Sequence, residues 1–372
     1  MTDRLSTLMH QQVDALEVPP APAAQVIAAG RGLRRRRTAG VAAAVVATVL
    51  AVIGIAVVDQ RWSDDDAITP AEQKAYVEKG AWAVGNELHI GDHVVTLPGI
   101  DQIGYSSLGA IVFDVRPGQD YDSTTSETVL VTPDGKVRSL ALPGLDLLLN
   151  PPATDPTSPV IAYVRPSDAA QGDVVLADLS TGETTVFSDA IPPHQGQVRS
   201  DPVALTPDAV LVNNTWSVDR STGDRTRLRL EGLTPLSGYA HGLRLTSDWQ
   251  TMTFQVRSGD DVLLDLPDTS GTSNGQSPAL LSPDGRYVAV STGDAGLDVY
   301  TVASGRSIHL GGDWDLEDVG WTPDGHLVGK QYPTNASEVQ TCDPVTGTCV
   351  GTGITVTEEL RLVRGADAIP NS

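Results

Sequence analysis

The sequence predicts an all-β fold, a β-propeller of seven blades with six or eight as the alternatives, preceded by a single transmembrane helix. Three observations lead to this fold class. One turn motif recurs about every 41 residues, a second turn motif alternates with it, and an uncharged apolar run of 21 residues lies near the N-terminus. Repeats of this length, each with four short strands, are the signature of propeller blades.

The first turn motif appears as "STGE", "STGD", "ASGR" and "VTGT". Its glycines are Gly182, Gly223, Gly305 and Gly347, so successive motifs lie 41, 82 and 42 residues apart. Gly271 falls in the double gap, and Gly91 and Gly135 extend the series toward the N-terminus. The spacing predicts one such turn in each blade.

The second turn motif reads "TPDA", "TSDW", "SPDG" and "TPDG". Its acidic residues are Asp208, Asp248, Asp284 and Asp324, in steps of 40, 36 and 40. Each unit therefore holds two turn signals and four strands, most clearly "PALLS", "RYVAVS", "LDVYTV" and "RSIHL". In Pro-Asp-Gly, proline presets φ, aspartate bonds its own backbone and glycine accepts positive φ, so these residues are interpreted as structural. They are Asp208, Asp284, Gly285, Asp324 and Gly325.

Within the clearest unit, alternate strand residues are expected to pack between blades. They are Tyr287, Ala289, Leu297, Val299 and Ile308. The ring must also close, because an unpaired sheet edge is a liability. "AWAVG", "ELHIG" and "HVVTL" predict three strands at the N-terminal side, and 354–363 predicts a C-terminal strand with Val356, Leu360 and Leu362 as its apolar set. Six whole blades and one shared blade make seven.

The segments "LSPDGRYVAV" and "WTPDGHLV" resemble the SPDG repeats of TolB-type and WD40-like propellers. The Gly-His and Trp-Asp dipeptides of WD40 repeats are missing at their expected places, which favours the TolB-like branch. The resemblance covers about residues 80–365. Together with the basic and apolar N-terminal segments, the acidic propeller resembles membrane-anchored propeller proteins common in actinobacteria.

Residues 38–58 predict the membrane span. This uncharged run would measure about 31 Å as a helix, against a hydrocarbon core of about 30 Å. Positive charge precedes it at Arg31, Arg34, Arg35, Arg36 and Arg37. The positive-inside rule therefore predicts a cell-membrane protein with a cytoplasmic N-terminus and an extracytoplasmic C-terminal domain. A cleaved signal peptide and a buried core helix are the alternatives. The chain then divides into a cytoplasmic arm (1–37), a span (38–58), a stalk (59–80), the propeller (81–365) and a tail (366–372).

Two short helices are predicted outside the propeller. In the arm, apolar residues recur at helical spacing, at Leu5, Leu8, Val13 and Leu16. This helix either lies at the membrane surface or docks a cytoplasmic protein. In the stalk, Thr69 is the expected N-cap, Pro70 and Glu72 complete the start signal, and Gly80 ends the helix.

Cys342 and Cys349 enclose "DPVTGT", which reads as a hairpin turn. Outside the cytosol a disulfide is the natural interpretation. A symmetric turn would set the two cysteines opposite one another, whereas a glycine bulge would offset them by one residue. Two free thiols are the alternative.

The sequence contains no G-x-S-x-G, H-E-x-x-H, P-loop or G-x-G-x-x-G motif, so no catalytic or cofactor-binding residue is predicted. His89 and His93 flank a turn and could face each other as metal ligands, but no third ligand is in sight, and loop histidines are the simpler interpretation. The Asp-rich turns "GQDYDST" and "TGDAGLD" could hold calcium. Neither matches a complete calcium loop, so solvated carboxylates are preferred and no metal is predicted.

The net charge of the chain limits the classes of partner that are expected to bind it. Six of the 25 basic and three of the 47 acidic residues lie in 1–37, which leaves a net charge of −25 in the rest of the chain. Nucleic acid is therefore a poor partner, and cationic ligands, peptides or proteins fit better. The predicted function is an anchored, extracytoplasmic module that binds protein, peptide or glycan. The alternatives are an anti-sigma-like transmembrane regulator, with the propeller as sensor and 1–37 as effector, and a propeller hydrolase or lyase.

The predicted arm helix distinguishes the hypothesis of a binding module from that of a transmembrane regulator. Replacing Leu8 and Val13 with glutamate should abolish capture of a cytoplasmic partner, because a charged face cannot bury against another protein. Membrane insertion should be unchanged, because the span and its arginines are intact. Crosslinking in intact cells followed by mass spectrometry measures both. A cytoplasmic partner that still bound the variant normally would exclude the docking helix.

Overall fold

The computed structural model describes residues 68–114, 127–145, 147, 152–166, 171–192, 203–212, 215–228, 234–248, 253–266, 279–291, 296–331 and 337–363. In these residues, helix α1 (Pro70–Lys79) precedes strands β1 to β27. The strands form seven antiparallel sheets. The chain is a seven-bladed β-propeller, which confirms the predicted all-β fold and excludes six or eight blades.

Blades 1 to 3 are built from the N-terminal strands of the propeller, except that blade 1 also contains the last strand of the chain. Blade 1 orders β27 (Leu360–Leu362), β1 (Ala81–Val84), β2 (Glu87–Ile90) and β3 (His93–Thr96) from the inside outward. Blade 2 contains β4 (Gln102–Ser106), β5 (Gly109–Asp114), β6 (Glu127–Val131) and β7 (Val137–Leu140). Blade 3 contains β8 (Val160–Pro166), β9 (Gly172–Asp178) and β10 (Thr184–Ile191), and its innermost position is reduced to a bridge between Ala153 and Ala162.

Blades 4 to 7 are four-stranded meanders. Blade 4 contains β11 (Val203–Leu205), β12 (Ala209–Val212), β13 (Trp216–Asp219) and β14 (Arg225–Arg227). Blade 5 contains β15 (Thr234–Ala240), β16 (Leu243–Asp248), β17 (Thr253–Ser258) and β18 (Asp261–Asp265). Blade 6 contains β19 (Ala279–Leu281), β20 (Tyr287–Ser291), β21 (Leu297–Thr301) and β22 (Ser307–Leu310). Blade 7 contains β23 (Trp314–Trp321), β24 (Leu327–Gln331), β25 (Ser337–Cys342) and β26 (Cys349–Val356).

The ring closes in blade 1, where β1 pairs with β27 through three residue pairs, among them Trp82 with Leu362. Three N-terminal strands and one C-terminal strand were expected there. The prediction of one strand over 354–363 was wrong, because Val356 ends β26 and only Leu360 and Leu362 belong to the closing strand. The break between them lets the chain leave the outside of blade 7 and return to the inside of blade 1.

Among the described residues, apolar clusters fill the spaces between neighbouring blades at every junction except that of blades 4 and 5. The residues of blade 6 expected to pack between blades, which are Tyr287, Ala289, Leu297, Val299 and Ile308, all join the cluster shared with blade 7. Val288 and Val290 alternate with them and join the cluster shared with blade 5. Strand β20 is therefore buried on both faces. Full burial of one such side chain contributes about 1.5–3 kcal/mol.

The first turn motif joins the third and fourth strands of a blade. Its four glycines, Gly182, Gly223, Gly305 and Gly347, have φ of 74°, 75°, 66° and 73°. Each glycine amide donates to the carbonyl four residues earlier, as in Gly182 N to Asp178 O at 2.8 Å. Gly91 and Gly135 occupy the same place in blades 1 and 2. Only a residue that tolerates positive φ closes this turn without strain.

Blade 5 departs from both predicted series. Gly271 lies outside the described residues, and the third and fourth strands are joined instead by Gly259 and Asp260. Asp248 was expected in a turn between the first and second strands, but it is the last residue of β16. That turn is formed by His241 and the glycine after it. In blades 4, 6 and 7 the second motif does lie in the turn between the first and second strands.

In each four-stranded meander, the first–second and third–fourth turns lie at the same end of the blade, and α1 packs at this end, which we call the α1 face. The helix has the expected capping box, with Thr69 accepting from the Glu72 amide at 3.3 Å. Tyr76 is buried and donates from its hydroxyl to Ser106 O at 3.0 Å. Val77 O accepts from the amide of Asp324 at 3.3 Å. The helix is thus packed on the propeller rather than standing free as a stalk.

In the residues described from 68 onward, no helix is long and apolar enough to cross a membrane. The predicted span (38–58), the basic cluster before it and the predicted arm helix lie outside the described residues.

Tyr105, in β4, bonds together the two ends of the ring. Its side chain is 1% exposed. The hydroxyl donates to Trp321 O in blade 7 at 2.8 Å and accepts from the Ala81 amide in blade 1 at 3.1 Å. Tyr76 packs edge-on against it, with ring centroids 5.9 Å apart. Burial raises the pKa of Tyr105 well above its usual value, so the hydroxyl stays protonated and remains a donor.

His89 lies beside the same closing sheet. Its ring stacks on Trp82 at a centroid distance of 4.0 Å, and Trp82 belongs to the apolar cluster between blades 7 and 1. The His89 Nε2 atom is buried and has no hydrogen-bond partner among the described residues. Burial lowers the pKa of His89, and the nearby Glu87 carboxylate opposes this shift.

Tyr105→Phe should lower the free energy of unfolding by about 1–3 kcal/mol, because it leaves the buried Ala81 N–H and Trp321 C=O without this partner. Urea unfolding of the full-length protein in detergent measures the change. Tyr163→Phe is the matched control, because its hydroxyl makes one bond, to Pro143 O at 3.1 Å, away from the closure. An equal or smaller loss for Tyr105→Phe would contradict this role.

His89 should make the propeller less stable in mild acid. Because its pKa is lower in the folded state than the ordinary value of 6.5, the unfolded chain takes up the proton first as the pH falls below about 6.5. The free energy of unfolding is therefore highest above this pH, and it decreases as the pH is lowered further. His89→Phe keeps an aromatic ring on Trp82 and should flatten the dependence of the unfolding midpoint between pH 7.5 and 5.5. His93→Phe, on the opposite face of the sheet, is the control, and an unchanged slope in His89→Phe would refute the assignment.

Candidate ligand site at the channel mouth

The innermost strands end at the α1 face around the mouth of the central channel. A shallow cavity that is open to solvent lies at this mouth. Blades 1 to 6 all contribute to it, each through the end of its innermost segment. The lining residues are Tyr105, Thr154, Asp155, Pro156, Leu205, Tyr239, Ala240, His241, Pro283 and Val363.

Asp155 places a carboxylate in the cavity wall. Its Oδ1 atom accepts from the amide and the hydroxyl of Thr157, both at 2.7 Å. These two bonds fix the side chain within its own turn, and Ser158 N donates to Asp155 O at 3.1 Å. The second carboxylate oxygen is therefore carried on a rigid turn.

His241 and Tyr239 form the wall contributed by blade 5. His241 has φ 48° and Gly242 has φ 79°, the backbone of a two-residue hairpin with both residues in the left-handed region. This turn holds the exposed imidazole at the channel mouth. Burial raises the pKa of Tyr239, and the nearby Arg244 opposes this shift, so at neutral pH the phenol is a hydrogen-bond donor.

The rest of the wall is mainly apolar. Leu205 is 7% exposed and Val363 is 4% exposed, and two proline rings, Pro156 and Pro283, stand at the edge. A few polar groups set in an apolar wall are typical of ligand sites, because the wall supplies burial and the polar groups supply orientation.

Turns of neighbouring blades pack closely against one another around this mouth. A Cβ atom on Gly325 would lie 2.6 Å from Asp284 Oδ2, and one on Gly285 would lie 3.3 Å from Ala240 O. Arg286 donates to the carbonyl oxygen of Asp324 across the gap between blades 6 and 7. The structure thus places the Pro-Asp-Gly residues in contacts between blades. Asp208 lies in the corresponding turn of blade 4, where its carbonyl accepts from the Arg220 amide at 2.9 Å.

The described residues show no arrangement suited to bond cleavage. His309 and His326 each contact a carboxylate, Asp298 at 2.8 Å and Asp324 at 2.9 Å. The first pair links neighbouring strands and the second closes a turn. Within the part of the chain that is described, no group of three His, Cys, Asp or Glu side chains could hold a metal ion.

The remaining sequence candidates lie away from the mouth. Cys342 and Cys349 are directly opposite on β25 and β26, with Cα atoms 4.0 Å apart, and form a disulfide. His89 and His93 cannot share a metal, because they are on opposite faces of blade 1: His89 stacks on Trp82, whereas His93 is the partner of Ile90. The arm and topology residues lie outside the described residues.

None of the cavity residues was predicted as a binding residue. Thr154, Asp155 and Tyr239 belong to no recurring motif, and only Pro283 stands within one. One signal was present, since Asp155 precedes "PTS" and therefore reads as a turn residue. Nothing in the spacing showed that this turn and His241 would meet across the channel.

No family model matches the chain, and no curated protein matches it. Among solved structures, TolB from Acinetobacter baumannii is 12% identical with a TM-score of 0.36, and the match covers 76% of this chain and 64% of that one, less than two thirds of its length. A chain of a mitotic checkpoint complex is 11% identical with a TM-score of 0.40, covering 86% and 90%. The propeller domain of Cps50 (Swd1) from Myceliophteria thermophila is 11% identical with a TM-score of 0.42, covering 68% and 86%.

These TM-scores are all below 0.5, so the fold assignment rests on the seven sheets and their closure rather than on any one similarity. The sheets have the architecture that the TolB-like and WD40-like resemblance implies. At the level of fold, the chain is a seven-bladed β-propeller.

Proposed function

We propose that the chain is a membrane-anchored, extracytoplasmic propeller that binds a peptide segment of a partner protein at the channel mouth. The observation that supports this most strongly is the cavity itself. It is open on the α1 face, and it combines apolar walls with a carboxylate, an imidazole and a phenol. Such a site can bury one side chain or chain end and orient it by hydrogen bonds.

The charge of the site favours a peptide with a basic residue. Asp155 is the carboxylate in the wall, and residues 38–372 carry a net charge of −25. A potential of this sign attracts cations over the surface and raises the association rate. The phenol of Tyr239 offers an aromatic face to the same cation.

Membrane anchoring and extracytoplasmic presentation are part of this proposal through residues 38–58 and the arginines before them. An anti-sigma-like regulator is a second candidate, favoured by one observation, the apolar spacing of Leu5, Leu8, Val13 and Leu16 in the arm. The two candidates share the same propeller site and differ in whether residues 1–37 bind a cytoplasmic partner. A propeller hydrolase or lyase has less support, because no catalytic arrangement was found among the described residues.

Panning a displayed random peptide library against the full-length protein in detergent tests the site. Wild-type protein should enrich peptides that contain lysine or arginine. Asp155→Asn should weaken the binding of a selected peptide about 10-fold, since a hydrogen bond to a charged group contributes about 1.5–3 kcal/mol. Tyr239→Phe should weaken it less, because only the hydroxyl is lost.

Asp224→Asn is the matched control, because it removes an exposed carboxylate in the outer turn of blade 4. It should bind the selected peptide as the wild type does. Enrichment without basic residues, or equal binding to the Asp155 and Asp224 variants, would refute the proposed site.

A further inference from the structure

The two faces of blade 5 differ in chemistry. The face toward blade 6 is apolar, and its buried residues include Leu245, Phe254 and Val256. On the opposite face, Tyr239 pairs with Arg244, and Arg244 pairs with Arg257, each directly across neighbouring strands. Because side chains directly opposite one another project from the same side of a sheet, these three lie on the face toward blade 4.

Two like charges therefore sit side by side between blades. The Arg244 side chain is 12% exposed, and its Nε atom is buried without a hydrogen-bond partner among the described residues. Burial lowers the pKa of Arg244, and the positive charge of Arg257 lowers it further. Both effects disfavour this arrangement, since directly opposed like charges are destabilising and a buried charge needs a counter-charge.

Neither guanidinium has a close carboxylate among the described residues. Arg244 Nη2 donates to Gly259 O at 2.6 Å, and its nearest carboxylate oxygen is on Asp260, 4.0 Å away, in a side chain that is 99% exposed. Arg257 donates to Gln255 Oε1 at 2.9 and 2.7 Å and to the carbonyl of Asp260 at 3.1 Å. In a chain with 47 acidic and 25 basic residues, it is unexpected that an arginine pair should have only this one exposed and distant carboxylate among the described residues.

Blade 4 does not supply the missing charge from its described strands. Since Val210 and Val218 pack toward blade 3, the alternate residues Leu211 and Ser217 face blade 5, and both are neutral. Asp219 follows them at the turn, but its carboxylate accepts from Ser221 and Thr222 within its own turn. These bonds lower the pKa of Asp219 to about 2.

We propose that the paired arginines Arg244 and Arg257, between blades 4 and 5, form a binding site for an oxyanion, either a carboxylate or a phosphate group. The guanidinium fork matches both groups, and Arg244 Nε has no hydrogen-bond partner among the described residues. Tyr239 connects this site to the channel mouth, because it lines the cavity and is the cross-strand neighbour of Arg244. The site goes beyond the proposed peptide site and does not depend on it.

Calorimetric titration of the full-length protein in detergent with inorganic phosphate, and separately with acetate, tests the proposal at constant ionic strength. Wild-type protein should bind at least one of the two anions. Arg244→Gln and Arg257→Gln should each weaken binding about 10-fold or more. Arg244→Lys keeps the charge but not the fork, and should restore only part of the loss. The anion that binds more tightly identifies the ligand class.

Arg306→Gln is the matched control, because Arg306 is exposed in the outer turn of blade 6 and its loss removes the same charge. Circular dichroism and the unfolding midpoint establish that each variant is folded, and Arg257→Gln tests the site if Arg244→Gln is not. No binding of either anion by the wild type would overturn the proposal. So would equal affinities for wild type, folded arginine variants and the Arg306 control. The peptide test uses different residues and a different ligand, so either proposal can fail alone.

Discussion

The pairing of β1 with β27 is the constraint on which the rest of the structure depends. Three residue pairs join the two ends of the propeller, a short contact for a ring of this size. Two additional contacts support it: Tyr105 bonds blade 1 to blade 7 through one hydroxyl, and α1 packs against blades 1, 2 and 7. Without this closure, blades 7 and 1 would each leave an apolar face without a neighbour.

Closure also determines where a ligand can bind. Because seven sheets meet around one axis, the ends of their inner strands converge at a single mouth, whichever residues they carry. The cavity between Asp155 and Tyr239 is therefore a product of the ring rather than of any one blade. The arginine face of blade 5 is different, because it lies between two sheets and carries charge where the opposite face of the same blade is apolar.

Blade 6 could be predicted strand by strand, because "SPDG" marks its first–second turn, "ASGR" marks its third–fourth turn, and its valines alternate between them. Blade 5 could not, because the turn at His241 carries no proline and, although Ser258 precedes Gly259, the regular spacing drew attention to Gly271 and Asp248 instead. The helix start at Thr69 was predictable from local bonds alone. Its packing through Tyr76 was not, since that contact depends on Ser106 in another blade. The cavity at the channel mouth could not be predicted for the same reason, because its wall is assembled from segments far apart in sequence.

The three-pair closure has a consequence for how the chain folds. Strands β1 to β3 are made first, but their innermost neighbour is completed only at Leu362, about 280 residues later. Until then β1 presents an unpaired backbone edge beside apolar Trp82 and Ala83, a surface prone to join the wrong strand. Contacts of such long sequence separation form slowly. The edge of β1 is therefore unpaired for as long as the closing strand is missing, and it is covered in the finished propeller by β27.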